Sequence, residues 1–504
     1  MFFDRIPRSV LGVGSLVIAC IAVVHFVRAH RLKRKHRLLP PGPPGSPHAK
    51  YPPRLLQKWI EEYGPVISLK QGNDVLVIIG RHHEATQLME KQGASFADRP
   101  HSVAGSEILG RGMRFMLLST CDRLRRFRKA AYLHFQPKAT VAFDADQTLY
   151  SRNVIVDLLN DPESHQLHIK RFSGSVTLRV IYGKTTPLSL NTDPYILHLK
   201  RMIPVVQGAL LPGAYLVDKY PILRYVPGYG KQLKQWGEEE YQMLMGYMNQ
   251  YKAQMLSESG PHSVAKDIVS RTITEGNLTE SETAFFLGSL VGAAFDTTQV
   301  AISTIMMAAA RFPEAQATVH AQLDAVVGRD APPTFADWSS LTHLQAFILE
   351  SLRWRPVNPF GAPRRASKDI IWNGYCIPAG ATVFGNHWCI ARDPEVFPDP
   401  ETFDPKRWIA SDGTINDLKA YSFGFGRRTC VGSNLAMRSL YIAAATIFWS
   451  FKLSEDPSRP IDDTAFVPGI VSHQKPFSLV FEPRMDTALL MELMGGLSDK
   501  HSQP

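Results

Sequence analysis

The last third of the chain carries an unusual combination of glycines, arginines and one cysteine: Phe423-Gly424-Phe425-Gly426-Arg427-Arg428-Thr429-Cys430-Val431-Gly432. A cysteine thiolate is a strong, soft, negatively charged ligand for a metal ion. Glycines let the backbone turn tightly and approach a flat cofactor, because they have no Cβ. The apolar run that starts near Ser433 predicts a helix whose positive dipole end faces the sulfur. These features make Cys430 a candidate metal ligand, with a buried structural cysteine as the alternative, and place Arg428 where it could neutralise an acidic group on the same cofactor.

Length and composition narrow the class of protein. The chain has 504 residues, 44% hydrophobic and 20% charged, which is typical of a globular protein with a large core. Its five cysteines are scattered and form no C-x-x-C pair, so neither a zinc site nor a disulfide framework is indicated. The formal net charge is +10, but no nucleic-acid reader motif accompanies it, and we expect no nucleic-acid partner.

The N-terminus has the pattern of a membrane anchor. Residues 10–27 form a nearly unbroken apolar run that is just long enough to span a bilayer as a helix. A cleaved signal peptide is the competing interpretation, but a cationic cluster follows at once and no small-residue cleavage pattern is evident. The positive charge after the run places the rest of the chain in the cytoplasm. The proline-rich stretch after it predicts a stiff hinge.

A long apolar segment, residues 281–312, predicts one buried helix. Asp296 and Thr297 lie in its middle, and a buried acid beside a hydroxyl is costly unless both groups are used. A threonine that bonds back to the preceding turn is the purely structural alternative. The functional interpretation is a proton path, in which Asp296 relays protons from solvent and Thr297 holds the reacting oxygen.

These motifs resemble those of the cytochrome P-450 family, the haem-thiolate monooxygenases. The string F-x-x-G-x-R-x-C-x-G is similar to the haem-binding loop of that family, and Asp296-Thr297 to its oxygen-activation motif. The resemblance implies a mainly α fold with a small β lobe, the cytochrome P-450 fold, preceded by one N-terminal transmembrane helix. It implies haem b with the Cys430 thiolate as axial iron ligand. The residues that it places at the cofactor are Phe423, Gly424, Arg428, Arg128 and Arg364.

Other family positions are present or altered. Glu350 and Arg353 lie at i, i+3 on a predicted helix, and with Arg407 they match the structural triad of the family. Leu124 stands where the family usually has a tryptophan that reaches the haem, so one contact is expected to be missing and haem binding to be looser. Ala294 stands where a glycine is usual, next to the proton-path residues.

Three segments are expected to surround a substrate pocket. Residues 96–118 read as a long mixed loop, and prolines, starting with Pro204, are predicted to break residues 203–229 into a lid. Residues 466–472 look like a hairpin tip that enters from the opposite side. The run 469–484, G-I-V-S-H-Q-K-P-F-S-L-V-F-E-P-R, resembles fungal secondary-metabolite enzymes of the O-methylsterigmatocystin oxidoreductase-like type.

The resemblance implies a single-pass protein of the endoplasmic reticulum membrane, a monomer with its catalytic domain in the cytoplasm. Electrons from NADPH would arrive through NADPH–cytochrome P-450 reductase, with cytochrome b5 as a further candidate, to hydroxylate or otherwise oxidise a small, largely apolar molecule. The basic residues Arg125, Arg126 and Lys129 are either a solvated surface or the face that meets the acidic electron donor. Two other functions stay open: a haem-thiolate isomerase or dehydratase that does not use dioxygen, and a non-enzymatic haem sensor.

The expected organisation follows from these segments. It comprises an N-terminal tip at residues 1–9, a transmembrane anchor at 10–27, a basic and proline-rich hinge at 28–47, a haem-thiolate catalytic domain at 48–490 and a C-terminal tail at 491–504.

Overall fold

Helices dominate the protein, and short strands form small sheets beside them. A computed structural model describes residues 39–44, 53–72, 74–185, 189–211, 213–255, 261–416, 421–467 and 469–495. The predicted transmembrane anchor, residues 10–27, lies outside these ranges. Within them the architecture is the mainly α fold with a small β lobe that the motifs predict.

The helices of the first half are α1 Pro53–Tyr63, α2 His82–Ala85, α3 Asp122–Phe135, α4 Pro137–Thr140, α5 Asp144–Asn160, α6 His165–Tyr182, α7 Pro194–Ala209, α8 Leu216–Lys219, α9 Lys231–Met255 and α10 Val264–Glu275. Those of the second half are α11 Glu280–Arg311, α12 Pro313–Val326, α13 Thr342–Trp354, α14 His387–Ile390, α15 Ser433–Ser450 and α16 Thr487–Gly495. Two π-helical segments, Thr86–Lys91 and Val103–Leu109, lie between α2 and α3.

The strands form one four-stranded sheet and three two-stranded ones among the described residues. The larger sheet has the order β1 Val66–Gln71, β2 Asp74–Ile79, β6 Thr382–Gly385 and β3 Arg364–Arg365. The smaller pairs are β4 Ile370–Trp372 with β5 Tyr375–Ile377, β7 Phe451–Glu455 with β10 Leu479–Pro483, and β8 Phe466–Val467 with β9 His473–Gln474. The antiparallel β8–β9 pair is the hairpin predicted around residues 466–472.

Helix α11 runs through the centre of the helical core, as predicted for residues 281–312. A capping box starts it: the Thr279 side chain accepts the Glu282 N–H, and the Glu282 side chain accepts the Thr279 N–H. Apolar side chains surround most of the helix, which packs against α6, α9, α13 and α15. It is the one helix in the described ranges that is long and apolar enough to cross a membrane, and most of it is buried inside the protein. We therefore assign it to the core.

The segment from residue 96 to 118 contains more regular structure than the predicted loop. Its centre is the π-helical segment Val103–Leu109, capped by Ser102, whose hydroxyl oxygen accepts the N–H of Gly105 at 2.9 Å. The hydrogen bonds of a π-helix join residues i and i+5. Its apolar residues therefore do not repeat every 3.6 positions, which is the period used to predict an α-helix from sequence.

The predicted break at Pro204 is wrong. Pro204 lies inside α7, and the chain leaves this helix only after Ala209. A proline in a helix removes one hydrogen bond and usually kinks or breaks it. Here buried Leu199 and Met202 anchor the surrounding turns against the core, so packing overrides the local preference. The irregular part of the lid begins after α7.

A buried carboxylate connects α13 to the segment that precedes the cysteine loop. Glu350 is fully buried and accepts Nε and Nη2 of Arg353 at 2.8 and 2.7 Å. Arg407 Nε, Trp408 Nε1 and the Asp404 N–H donate to the same carboxylate at 3.3, 2.8 and 2.8 Å. Both oxygens are therefore saturated, and the three predicted triad residues are in contact.

Glu350→Gln should destabilise the protein by about 3–5 kcal/mol, because it leaves the buried Arg353 without its counter-charge. Chemical denaturation of the purified protein measures the difference. Lys406→Gln, an exposed neighbour of Arg407, is the matched control and should unfold like the wild type. Equal stability of the two variants would contradict the structural role of the carboxylate.

His165, at the start of α6, is buried between Phe477 and Phe481. Burial lowers the pKa of this imidazole from 6.5 to about 4. A base whose folded-state pKa is lowered binds fewer protons than it does in the unfolded chain. Acidification from pH 6.5 toward 4 should therefore reduce the free energy of unfolding.

In His165→Phe the decrease in the free energy of unfolding on acidification should be smaller than in the wild type, by at most roughly 3 kcal/mol. The variant lacks the imidazole that must stay neutral in the folded protein. Unfolding free energies at a series of pH values between neutral and the lowered pKa test the slope. The exposed His83, changed to Gln, is the control. A His165→Phe slope equal to the wild-type slope would show that other groups cause the acid sensitivity.

Candidate functional site

Backbone hydrogen bonds and glycines shape the cysteine loop. The N–H of Cys430 donates to the carbonyl of Phe423 at 2.8 Å. Gly424 and Gly426 have φ of 80° and 51°, left-handed values that favour glycine. A Cβ on Gly426 would lie 2.5 Å from the carbonyl oxygen of Met89, so only glycine allows the loop to pack this closely.

The Cys430 side chain faces an internal cleft. It is accessible to solvent, yet enough protein lies around it to desolvate the thiol, which is the situation of a group in a cleft and not of one on the outer surface. Burial raises the pKa of this thiol, while the N–H of Gly432 and the charge of Arg128 act in the opposite direction. Helix α15 begins at Ser433 and thus presents its N-terminal end beside the sulfur, which favours negative charge there.

Two of the predicted cofactor-binding arginines hold this loop from different elements. Arg128, in α3, donates from Nη2 to the carbonyl of Thr429 at 3.2 Å. Arg364, in β3, donates from Nη2 to the carbonyl of Phe425 at 2.6 Å. The loop carrying the cysteine is therefore tied to both the helical core and the β lobe.

A third and a fourth arginine complete the connection. Arg428, from the loop itself, donates Nε to the carbonyl of Ala97 at 2.5 Å. Arg99 donates from Nη1 to the carbonyl of Pro363 at 2.5 Å, next to Arg364. The four side chains thus link α3, the cysteine loop, the 97–99 segment and β3. Sequence analysis missed Arg99, and its only signal was a position at the start of the long mixed loop predicted for residues 96–118.

The four guanidinium groups repel one another in a partly buried region. Burial, and after it the charges of the other three arginines, lowers the pKa of Arg99 to about 9. Burial followed by neighbouring arginines likewise lowers the pKa of Arg364 to about 10 and that of Arg428 to about 10. Such a cluster is suited to an anionic partner, because carboxylates would neutralise it and accept charge-assisted hydrogen bonds.

The residues present fit a haem. The Cys430 thiol faces an internal cleft, and Gly424, with no Cβ, lies close to Arg364. Within the described part of the chain, Nη1 of Arg364 is buried without a hydrogen-bond partner, which a haem carboxylate would supply. Leu124, buried on α3, donates no hydrogen bond, but Arg99 adds a donor that the sequence had not indicated.

Helix α11 carries Asp296 and Thr297, the two residues predicted to form a proton path. Thr297 donates its hydroxyl to the carbonyl of Ala293 at 2.9 Å, which is the back-bonding that was considered as the structural alternative. Its oxygen still has lone pairs that can accept a hydrogen bond, so the two interpretations are compatible. Thr297 and Ala293 are half-buried, as are the neighbouring Gly292, Ala294 and Thr298. Ser173 of α6 donates to the carbonyl of Phe295 at 2.9 Å and fixes the same turn.

The carboxylate of Asp296 is buried and paired with a residue from the C-terminal hairpin. His473 Nε2 lies 3.1 Å from Asp296 Oδ1, and Gln299 Nε2 donates to the same oxygen at 3.3 Å. Sequence analysis included His473 only within a longer run and gave it no role. The two residues are 177 positions apart, so no local pattern could connect them.

The lid helix and the hairpin tip approach one another above α11. A Cβ on Gly469, at the tip, would lie 3.3 Å from Gln207 Oε1 on α7. A Cβ on Gly292 of α11 would lie 3.9 Å from a methyl carbon of Leu199 on α7. These contacts bring the predicted lid and the predicted hairpin tip to one region of the protein.

Comparison with known proteins agrees with this architecture. The family described as Cytochrome P450 matches residues 47–481. Cytochrome P450 monooxygenases 64 and 88 of Postia placenta are each 42% identical over 490 residues, covering 96% of this chain and 97% of the relative. A cytochrome P450 monooxygenase of Armillaria gallica is 30% identical over 497 residues, covering 94% and 95%. The chain therefore belongs to the cytochrome P450 family of haem-thiolate monooxygenases, which receive their electrons from a reductase.

Proposed function

We propose that this enzyme oxidises a small, largely apolar molecule, and that the thiolate of Cys430 would hold the iron of haem b. The single observation that carries the assignment is the position of the Cys430 thiol, in an internal cleft beside the buried Arg364 and the half-buried Arg99, Arg128 and Arg428. The bound haem would supply the activation of dioxygen. The protein binds and orients this group, excludes bulk water and delivers protons.

Each predicted site residue has a proposed role in binding the haem or in delivering protons. Arg128, Arg364 and Arg428, together with Arg99, would bind the haem carboxylates, and Phe423 and Gly424 would shape the loop that holds the cofactor. Thr297 holds a hydrogen bond at the reacting oxygen through its hydroxyl, and Asp296 conveys protons to it. An isomerase, a dehydratase or a haem sensor needs no such path, and the buried Asp296 favours the monooxygenase.

We assign electron delivery to the exposed side of α3. Arg125, Arg126 and Lys129 are exposed there, on the helix from which Arg128 reaches the cysteine loop. NADPH–cytochrome P450 reductase is the proposed donor, and an acidic surface on it would be guided to these charges. Arg126 also lies 3.2 Å from Glu282, so it serves the fold as well as the surface.

We further propose a single-pass protein of the endoplasmic reticulum membrane, anchored by residues 10–27. The segment after α7 supports a second contact with the bilayer, because Ile222 and Tyr225 are 73% and 76% exposed and Leu211 and Leu216 lie open nearby in sequence. A role in fungal secondary metabolism rests on the run 469–484 and is consistent with fungal relatives.

Untargeted mass spectrometry of a fungal host that expresses the enzyme with a reductase tests the reaction. We expect a product that contains oxygen from labelled dioxygen and that disappears with Cys430→Ala, because the thiolate ligand is lost. Cys121→Ala, which removes another exposed cysteine, should keep the product. A Cys430-dependent product without label would instead favour desaturation or the rearranging enzyme, and a label that persists in Cys430→Ala would refute the assignment.

The arginine cluster makes a separate prediction about cofactor retention. Arg364→Leu removes a buried donor to the haem carboxylate and should speed haem loss roughly tenfold, as for a hydrogen bond to a charged group. Transfer of haem to apomyoglobin measures the rate without any turnover. Arg427→Leu, at an exposed arginine of the same loop, is the control. Equal rates for Arg364→Leu and Arg427→Leu would exclude Arg364 as a haem-binding residue.

A further inference from the structure

The contact between His473 and Asp296 joins a buried acid to solvent. Asp296 is only 7% exposed, whereas the His473 side chain is 34% exposed. Nε2 of His473 lies 3.1 Å from Oδ1 and 3.2 Å from Oδ2 of the carboxylate. The imidazole therefore reaches a buried carboxylate on one side and water on the other.

The hairpin that carries His473 is held in this place by its neighbours. Gln474 Nε2 donates to the carbonyl of Val300 at 3.1 Å and to Thr304 Oγ1 at 2.5 Å, both on α11. The N–H of Ser472 donates to the carbonyl of Val357 at 2.9 Å. The imidazole thus does not depend on its bond to Asp296 to stay beside α11.

Few other groups can exchange a proton with Asp296. Gln299 donates to it and does not titrate. Lys170, on α6, lies 5.6 Å from the centre of the Phe295 ring; burial and then Lys200 lower the pKa of Lys170, whereas the charge of Asp296 raises it. An imidazole has two ring nitrogens, so His473 can bond Asp296 through Nε2 and exchange a proton with water through the other nitrogen. Of these groups it is therefore best suited to pass protons to the acid.

We propose that His473 is a positioning residue that admits protons from solvent to Asp296, an inference that rests on the proton path proposed above. Water protonates Nδ1 while the proton on Nε2 passes to a carboxylate oxygen of Asp296. When the acid passes that proton on toward Thr297, its carboxylate is restored. Proton exchange with water then returns the imidazole to its starting tautomer, and no electron is transferred.

His473→Gln separates proton entry from structural support, because an amide can keep the hydrogen bond to Asp296 but cannot carry a proton. For the haem-loaded enzyme with its reductase, we expect NADPH-driven oxygen consumption to fall on the order of tenfold, and its solvent deuterium isotope effect to rise. The melting temperature should stay that of the wild type. His473→Phe should show the same kinetic change and also a lower melting temperature, because the hydrogen bond is lost as well.

Two controls identify the route. Lys475→Gln removes a positive charge from an exposed position on the same hairpin and should leave rate, isotope effect and melting temperature unchanged. Lys170→Met tests entry from α6, and the proposal is overturned if this variant raises the isotope effect while His473→Gln does not. The proposal is also overturned if His473→Gln keeps the wild-type rate of oxygen consumption, isotope effect and melting temperature, since the histidine would then be structural.

Asp296→Asn distinguishes this inference from the function on which it rests. A slow Asp296→Asn variant beside a fast His473→Gln variant would remove His473 from the path and leave the role of Asp296 intact. A fast Asp296→Asn variant would contradict the proposed role of Asp296 itself, and the inference with it. If His473→Phe does not fold, the His473→Gln and Lys170→Met pair still gives the answer.

Discussion

One fully paired buried carboxylate fixes the framework on which the cysteine loop rests. Glu350 accepts hydrogen bonds from Arg353, Arg407, Trp408 and the backbone of Asp404. A buried ion pair contributes little net stability over a well-packed apolar core, because both charges lose their hydration. Its effect here is geometric: the carboxylate accepts donors from α13 and from the 404–408 segment only when the two are in register. The carboxylate therefore fixes the 404–408 segment relative to α13.

Much of the site could be predicted because its residues lie in local patterns. Cys430 and Arg428 share one short string, and Asp296 and Thr297 are adjacent on a helix whose apolar run is unmistakable. Arg128 and Arg364 were found through the family resemblance, and the structure brings both to carbonyls of the cysteine loop. The contacts of Arg128 and Arg364 with the cysteine loop are observed, whereas their roles in binding a haem stay predictions.

The residues that escaped prediction belong to contacts between distant segments. The role of Arg99 depends on its hydrogen bond to Pro363 and on the other arginines, and the role of His473 depends on its contact with Asp296. Neither contact can be predicted from the residues on either side of it in the sequence. The two local errors have different causes. Tertiary packing keeps Pro204 inside a helix, whereas local π-helical hydrogen bonding gives Val103–Leu109 a period that a search for 3.6-residue repeats does not detect.

The cluster of four arginines also has a consequence for the amount of enzyme in a cell. Without an anionic partner the folded chain holds like charges close together, and their repulsion is part of its free energy. A cofactor that binds only the folded state lowers that free energy by an amount that grows with its concentration. Unfolded chains are removed by proteolysis, so steady-state abundance follows the folded fraction. The level of this protein should therefore rise and fall with the supply of iron and porphyrin, even when its synthesis is constant.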